Sequence, residues 1–148
     1  MLDCGLNSNE AKLTGLYVVQ VGSWVQDDCP NAPAPGQLPA SQFDLVLEGR
    51  AGVNIGSSGA PYSLVITASD ETAMQAVAAM SLTLPLQAFD PADGWKPTPN
   101  YTVFVNTKRF TIDVPESVKG HLFHYAATLI SPNCQLASFI SSSRFLLL

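Results

Sequence analysis

The chain has 148 residues, of which 47% are hydrophobic and only 13% charged, and its formal net charge is −5. This length suffices to bury one core, so we expect a single domain over residues 1–148. The scattered Lys and Arg residues disfavour a nucleic-acid surface, which needs clustered basic side chains, and no apolar run reaches the roughly 18 residues of a membrane-spanning helix.

The first half of the chain predicts strands separated by a proline-rich loop. KLTGLYVVQVGSW is rich in β-branched and aromatic residues, which favours a strand, whereas the prolines of residues 27–41 predict a long loop. FDLVLEG alternates, with Phe43, Leu45 and Leu47 on one face, and this pattern predicts a half-buried strand. YSLVITA predicts another strand.

One segment, residues 70–80 in SDETAMQAVAAM, is a candidate for a short helix. Acidic residues fill its first turn, and Ala73, Val77 and Met80 would share one face. A loop leading into an irregular strand explains the same residues, and the sequence leaves both interpretations open.

The second half predicts further strands. SLTLPLQ contains Pro85 and therefore predicts an edge strand, and FDPADGWKPTPN predicts a turn-rich loop. YTVFVN and RFTIDV predict two strands joined by a hairpin turn at residues 106–108. HLFHYAATLI and LASFISSSRFLLL predict the last two strands. About eight short strands and at most one short helix indicate an all-β, antiparallel sandwich, immunoglobulin-like or jelly-roll-like.

The approach to HLFHYAATLI resembles strand F of immunoglobulin-like sandwiches, in which a tyrosine hydrogen-bonds to upstream backbone and closes a corner. Pro115, Gly120 and Tyr125 would supply the parts of this corner. The Cys-Trp-Cys spacing of antibody-type domains is missing. The resemblance concerns architecture and implies no function.

The two histidines, His121 and His124, raise the question of a metal site. Residues three apart on a strand point to opposite faces, so we expect no shared metal ion and no cofactor. The three cysteines lack zinc-site spacing, and either free thiols or a Cys4–Cys29 disulfide fits them.

A loop surrounding Trp95 is a candidate binding site for carbohydrate or a small ligand, with Asp90, Asp93 and Tyr101 nearby. The alternative is that the Trp95 ring packs over the end of the sandwich. Calcium binding by Asp90 and Asp93 is disfavoured because the ligand density of an EF-hand loop is missing.

The chain ends on four apolar residues, which suggests assembly. In a strand, Phe145 and Leu147 would face the core, while Leu146 and Leu148 would need another cover, such as a partner chain. Phe145, Leu146 and Leu148 are therefore candidate assembly residues, and the alternative is an ordinary buried strand.

Catalytic motifs are not apparent, because the chain has neither a G-x-S-x-G elbow nor a P-loop. We expect a non-enzymatic protein-interaction or self-assembly module, with a carbohydrate- or small-ligand-binding sandwich using the 90–101 loop as the alternative. The first residues show no signal-peptide pattern, so we expect a cytoplasmic protein or a trimmed extracellular one.

Overall fold

The computed structural model describes residues 10–52, 62–84, 91, 95–100 and 103–148. Within these ranges the chain forms ten strands: β1 (Ala11–Val19), β2 (Gln42–Gly52), β3 (Ser63–Asp70), β4 (Gln75–Ala76), β5 (Leu82–Leu84), β6 (Lys96–Asn100), β7 (Val103–Asp113), β8 (Leu122–Ile130), β9 (Leu136–Ser141) and β10 (Phe145–Leu146). Two antiparallel sheets pack together around one hydrophobic core, which confirms the predicted all-β sandwich.

The first sheet has the strand order β1-β2-β7-β6, and every neighbouring pair is antiparallel. In the second sheet β3 and β8 pair in the centre; β4 and β5 line the free edge of β3, while β9 and β10 line the free edge of β8. The amide of Leu13 donates to Ser138 Oγ at 2.9 Å, so β1 and β9 bring the two sheets together along one side.

The core is built from alternate residues of the central strands. On β8 the buried set is the predicted one, Phe123, Tyr125, Ala127 and Leu129, all 0% exposed. The prediction that GHLFHYAATLI forms a strand is therefore confirmed, and one face of this strand lies in the core.

Strand β2 differs from the prediction of a half-buried strand. Its second face is buried as well, because Asp44 is 1% and Val46 is 0% exposed. The loop after β1 covers this face, and the amide of Gly22 donates to Asp44 Oδ2 at 3.0 Å. Alternation alone cannot reveal a cover contributed by a loop. Residues 20–41, which include the proline-rich segment, contain turns and bends without a strand.

The predictions for residues 96–100 and 106–108 were wrong. β7 runs unbroken through residues 106–108 and pairs with β2 along its whole length, so no hairpin turn forms there. None of these residues adopts the positive φ that a two-residue hairpin turn requires. Residues 96–100, predicted as loop, form β6. Their prolines are tolerated because, among the described strands, β6 pairs with β7 alone and lies at the edge of the sheet.

The 70–80 segment contains no α-helix. A turn over residues 71–74 leads into the two-residue strand β4 and a 3-10 helix at Ala78–Met80, which confirms the alternative of a loop and an irregular strand. Asp70 accepts a hydrogen bond from the Ala73 amide at 2.9 Å and so closes the turn. Pro85, the basis of the predicted edge strand, lies outside the described residues, but β5 does pair only with β3.

LASFISSSRFLLL forms two strands instead of one. β9 and β10 both pair with β8, and the serine linker between them stays bound to it, since the Tyr125 amide donates to Ser142 Oγ at 2.8 Å. The tyrosine corner is not formed either. The Tyr125 hydroxyl donates to the Met80 carbonyl at 2.9 Å, 45 residues upstream, whereas a tyrosine corner bonds backbone a few residues away.

Candidate functional site

Charge is distributed unequally between the two sheets. The described strands of the second sheet contain no Lys or Arg. Apart from Tyr125, their titratable side chains are Asp70 and His124. The strands of the first sheet carry Lys12, Asp44, Glu48, Arg50, Lys96, Lys108, Arg109 and Asp113. The contrast singles out the outer face of the second sheet.

We call this outer surface the uncharged face. It is formed by Ser63, Val65, Thr67 and Ser69 of β3, Ala126, Thr128 and Ile130 of β8, and Leu136, Phe139 and Ser141 of β9. The residues on β3 and β8 are half-buried, while Leu136 and Phe139 are 67% and 58% exposed. Exposed apolar side chains on paired strands are typical of a surface that contacts another protein.

A cluster of ion pairs lies at one end of the uncharged face. Glu71 contacts His124, with Oε2 and Nδ1 3.4 Å apart, and it contacts Arg144, with Oε1 and Nη2 3.1 Å apart. Next to it, Asp70 Oδ2 lies 2.6 Å from His121 Nδ1, and the Asp70 side chain is fully buried. Burial by itself raises the pKa of Asp70, but the hydrogen bonds to His121 and to backbone amides outweigh it and lower that pKa.

The two histidines bind different carboxylates, as expected from their opposite directions. Across the described ranges no group of three His, Cys, Asp or Glu side chains is placed to hold a metal ion. The described contacts of the His121 side chain are its pairing with Asp70 and a stacked contact with the Phe123 ring. Cys29 and Cys134 are free thiols, while Cys4 lies outside the described residues.

The turn beside this cluster places a large apolar side chain in solvent. Met74 is 90% exposed and has φ of 57°, in the left-handed region that disfavours residues with a Cβ. With Glu71, Ala76 and His124 it lines an open depression that continues the uncharged face. An exposed methionine is an adaptable contact residue in protein interfaces.

On the opposite side of the molecule, a second cluster surrounds Asp44. This carboxylate accepts hydrogen bonds from the Gly22 amide at 3.0 Å, from Arg109 Nη1 at 2.7 Å and from Thr111 Oγ1 at 2.8 Å. Burial raises the pKa of Asp44, but these three donors outweigh burial and lower the pKa below its usual value. Arg109 also stacks on the Trp24 ring, 4.2 Å from its centroid.

Of the predicted binding residues, the structure describes only Trp95. Trp95 is 3% exposed and packs in the core, as in the alternative stated for it above. Its ring therefore offers no surface on which a sugar could stack. Asp90, Asp93 and Tyr101 lie outside the described residues.

The candidate assembly residues are held by their own chain. Phe145 is 1% exposed, and its ring lies between those of three aromatic neighbours, Phe43, Phe123 and Tyr125. The Leu146 amide donates to the Asp28 carbonyl at 2.7 Å, and the Leu148 amide donates to Asn31 Oδ1 at 3.0 Å. Phe145 is thus a core residue, while Leu148 remains 37% exposed.

Sequence reasoning did not identify the uncharged face, although the signal was present. The second sheet's described strands contain no lysine or arginine, and this becomes informative once the strands are known to pair with one another. The contact of Trp24 with Arg109 had no sequence signal, because the two residues are far apart in the chain.

No protein-family model matches this chain, and no curated protein matches it. Within the described residues, no helix is long and apolar enough to cross a membrane.

Proposed function

We propose that this protein is a non-enzymatic interaction module that associates with a second copy of itself through the uncharged face. The observation that carries the proposal is the segregation of charge, which leaves the described outer face of the second sheet without a lysine, arginine, aspartate or glutamate on its strands. A surface of this kind can be covered without desolvating a fixed charge.

The chemistry of the face favours a like surface as its partner. A partner with charged side chains would leave them without counter-charges on β3, β8 and β9, whereas a second copy presents only Ser, Thr, Ala and aliphatic or aromatic groups. Two sheets of this type pack face to face about 10 Å apart, as the two sheets of a sandwich do.

Three exposed apolar residues provide the driving force. Leu136, Phe139 and Met74 are between 58% and 90% exposed in the single chain. Completely burying a side chain of this size contributes about 1.5–3 kcal/mol relative to leaving it exposed, so covering all three would give a substantial part of a micromolar affinity. The ion pairs of Glu71 would then lie at the rim.

The test is light scattering after size exclusion across a wide range of protein concentration. We expect a mass that rises from 15.7 kDa to a multiple of it. Thr128→Lys places an ammonium group in the middle of the face, and burying it unpaired should weaken association at least about tenfold. Phe139→Ala should weaken association to a smaller extent.

Thr98→Lys is the matched control, since Thr98 is an exposed threonine on β6 of the other sheet. It adds the same charge and should associate as the wild type does. A monomer at every concentration, or equal association by both lysine variants, would contradict the proposal.

A further inference from the structure

A pocket on the first sheet has two cationic side chains, Lys96 and Arg109, of which Arg109 is paired with the Asp44 carboxylate. Its lining residues are Trp24, Lys96, Thr107, Lys108 and Arg109, and its cavity volume is about 190 Å³. Lys96 and Arg109 share one face of the sheet with Thr107, whereas the Lys108 side chain faces the other way, beside Phe110. The pocket belongs to the other sheet than the uncharged face, so a ligand bound there does not rest on the proposed function.

The arginine of the pocket is held in place before any ligand arrives. Arg109 Nη1 donates to Asp44 at 2.7 Å, Nη2 donates to the Ser23 carbonyl, and the guanidinium lies against the Trp24 ring. A side chain fixed by three contacts loses little entropy when it binds a ligand. The Arg109 side chain lines the pocket, is 21% exposed, and has further N–H groups beyond those two bonds.

Lys96 supplies a cationic side chain that has no counter-charge among the described residues. In the described part of the chain, no carboxylate lies within ion-pair distance of Lys96 or Lys108. Lys96 is exposed, and the Lys108 ammonium lies 5.3 Å from the centre of the Phe110 ring. The Thr107 side chain adds a hydroxyl donor.

The exposed tryptophan gives the pocket an apolar wall. Trp24 is 57% exposed even though Arg109 stacks on its ring, so much of the indole remains in solvent at the pocket. An indole beside cationic donors suits a ligand that combines a planar body with an anionic group.

We propose that this pocket binds a small aromatic phosphate ester, with the phosphate on Lys96 and Arg109 and the planar ring against Trp24. Lysine and arginine are the usual phosphate ligands of proteins, and Thr107 completes the donor set.

Phenyl phosphate is the probe for a titration monitored by tryptophan fluorescence. Trp95 is 3% exposed and Trp24 is 57% exposed, so a saturable change in emission reports Trp24, and Trp24→Phe should abolish it. Inorganic phosphate and phenol are titrated in parallel, and each should bind at least about tenfold more weakly than phenyl phosphate because each makes half of the contacts.

Lys96→Gln tests the anionic contact with little risk to folding, since Lys96 is exposed on an edge strand. We expect it to weaken phenyl phosphate binding at least fivefold and to leave the far-ultraviolet circular dichroism unchanged. Lys119→Gln is the control, because Lys119 lies in a loop outside the pocket, paired with Glu116, and should bind as the wild type does.

Three results would overturn the proposal. The first is the absence of a saturable signal at millimolar phenyl phosphate. The second is equal binding of phenol, which would mean that the anion is not recognised. The third is equal loss of affinity in Lys96→Gln and Lys119→Gln, which would indicate a general effect of net charge.

Discussion

Replacing Phe145 by alanine is expected to lower the free energy of unfolding by about 3–5 kcal/mol, the usual cost of truncating a buried phenylalanine. The ring is 1% exposed, and its centroid lies 5.7 Å from those of Phe43, Phe123 and Tyr125. Phe43 belongs to the first sheet and the other two to β8 of the second, so Phe145 joins the two sheets. Its removal leaves a cavity where neither sheet can collapse without moving the other.

The assay is urea denaturation monitored by circular dichroism, with the slope of the transition compared between variants. A domain is typically stable by only about 5–15 kcal/mol, so the expected loss is a large fraction of the total. Leu148→Ala is the control, because Leu148 is 37% exposed and should cost less than about 1 kcal/mol. A loss below about 1 kcal/mol in Phe145→Ala, at unchanged slope, would refute the assignment of Phe145 to the core.

Three further predictions concern buried polar groups. Asp44→Asn should cost about 2–3 kcal/mol in urea denaturation, because it removes the charge that pairs with Arg109. Tyr125→Phe should cost about 1–3 kcal/mol in the same assay, because it leaves the buried Met80 carbonyl without its donor. The fold lowers the pKa of Asp70, so the stability that its carboxylate contributes is fully present above the unfolded pKa of about 3.9 and is lost as pH falls through the folded pKa. Asp70→Asn should therefore reduce the loss of unfolding free energy that the wild type shows between neutral and acidic pH.

Two substitutions within the chain serve as controls, one for the aspartates and one for the tyrosine. Asp113→Asn removes a carboxylate at an exposed hydrogen bond and should stay within about 0.5 kcal/mol of the wild type. Tyr17→Phe removes a hydroxyl from a half-buried ring on the first sheet and should likewise be nearly neutral. If the controls lose as much stability as the variants they match, or if Asp70→Asn leaves the loss at acidic pH unchanged, the proposed roles of Asp44, Tyr125 and Asp70 are wrong.

Alternation of apolar residues was a sound guide where one face of a strand meets the core and the other meets solvent. This holds for β8, whose buried residues alternate without exception from Phe123 to Leu129. It was insufficient for β2, since the loop carrying Gly22 covers Asp44 and Val46 from the other side. That cover is a contact between distant parts of the chain, and periodicity holds no information about it.

The remaining errors have similar causes. Prolines and turn-forming residues predicted loops at β6 and in the middle of β7, but pairing with a long neighbour overrides local preference. For the candidate site, the low charge content and the prediction of assembly came from the sequence, whereas the surface concerned did not. A surface without charged residues can be located only when it is known which strands lie side by side in a sheet. The strand pairing gives that information, and the sequence pattern does not.

The pairing of β3 with β8 also has a consequence for how the chain folds. Ser63 pairs with Ile130 and Asp70 with Phe123, so the central ladder of the second sheet joins segments that are distant in sequence. Contacts of this kind form slowly, because the loop between them must close first.

Until the ladder forms, β8 and β9 are exposed as aromatic and β-branched segments without the charged residues that usually limit aggregation. The chain would therefore be most vulnerable to aggregation during folding, and refolding yield should fall steeply as protein concentration rises.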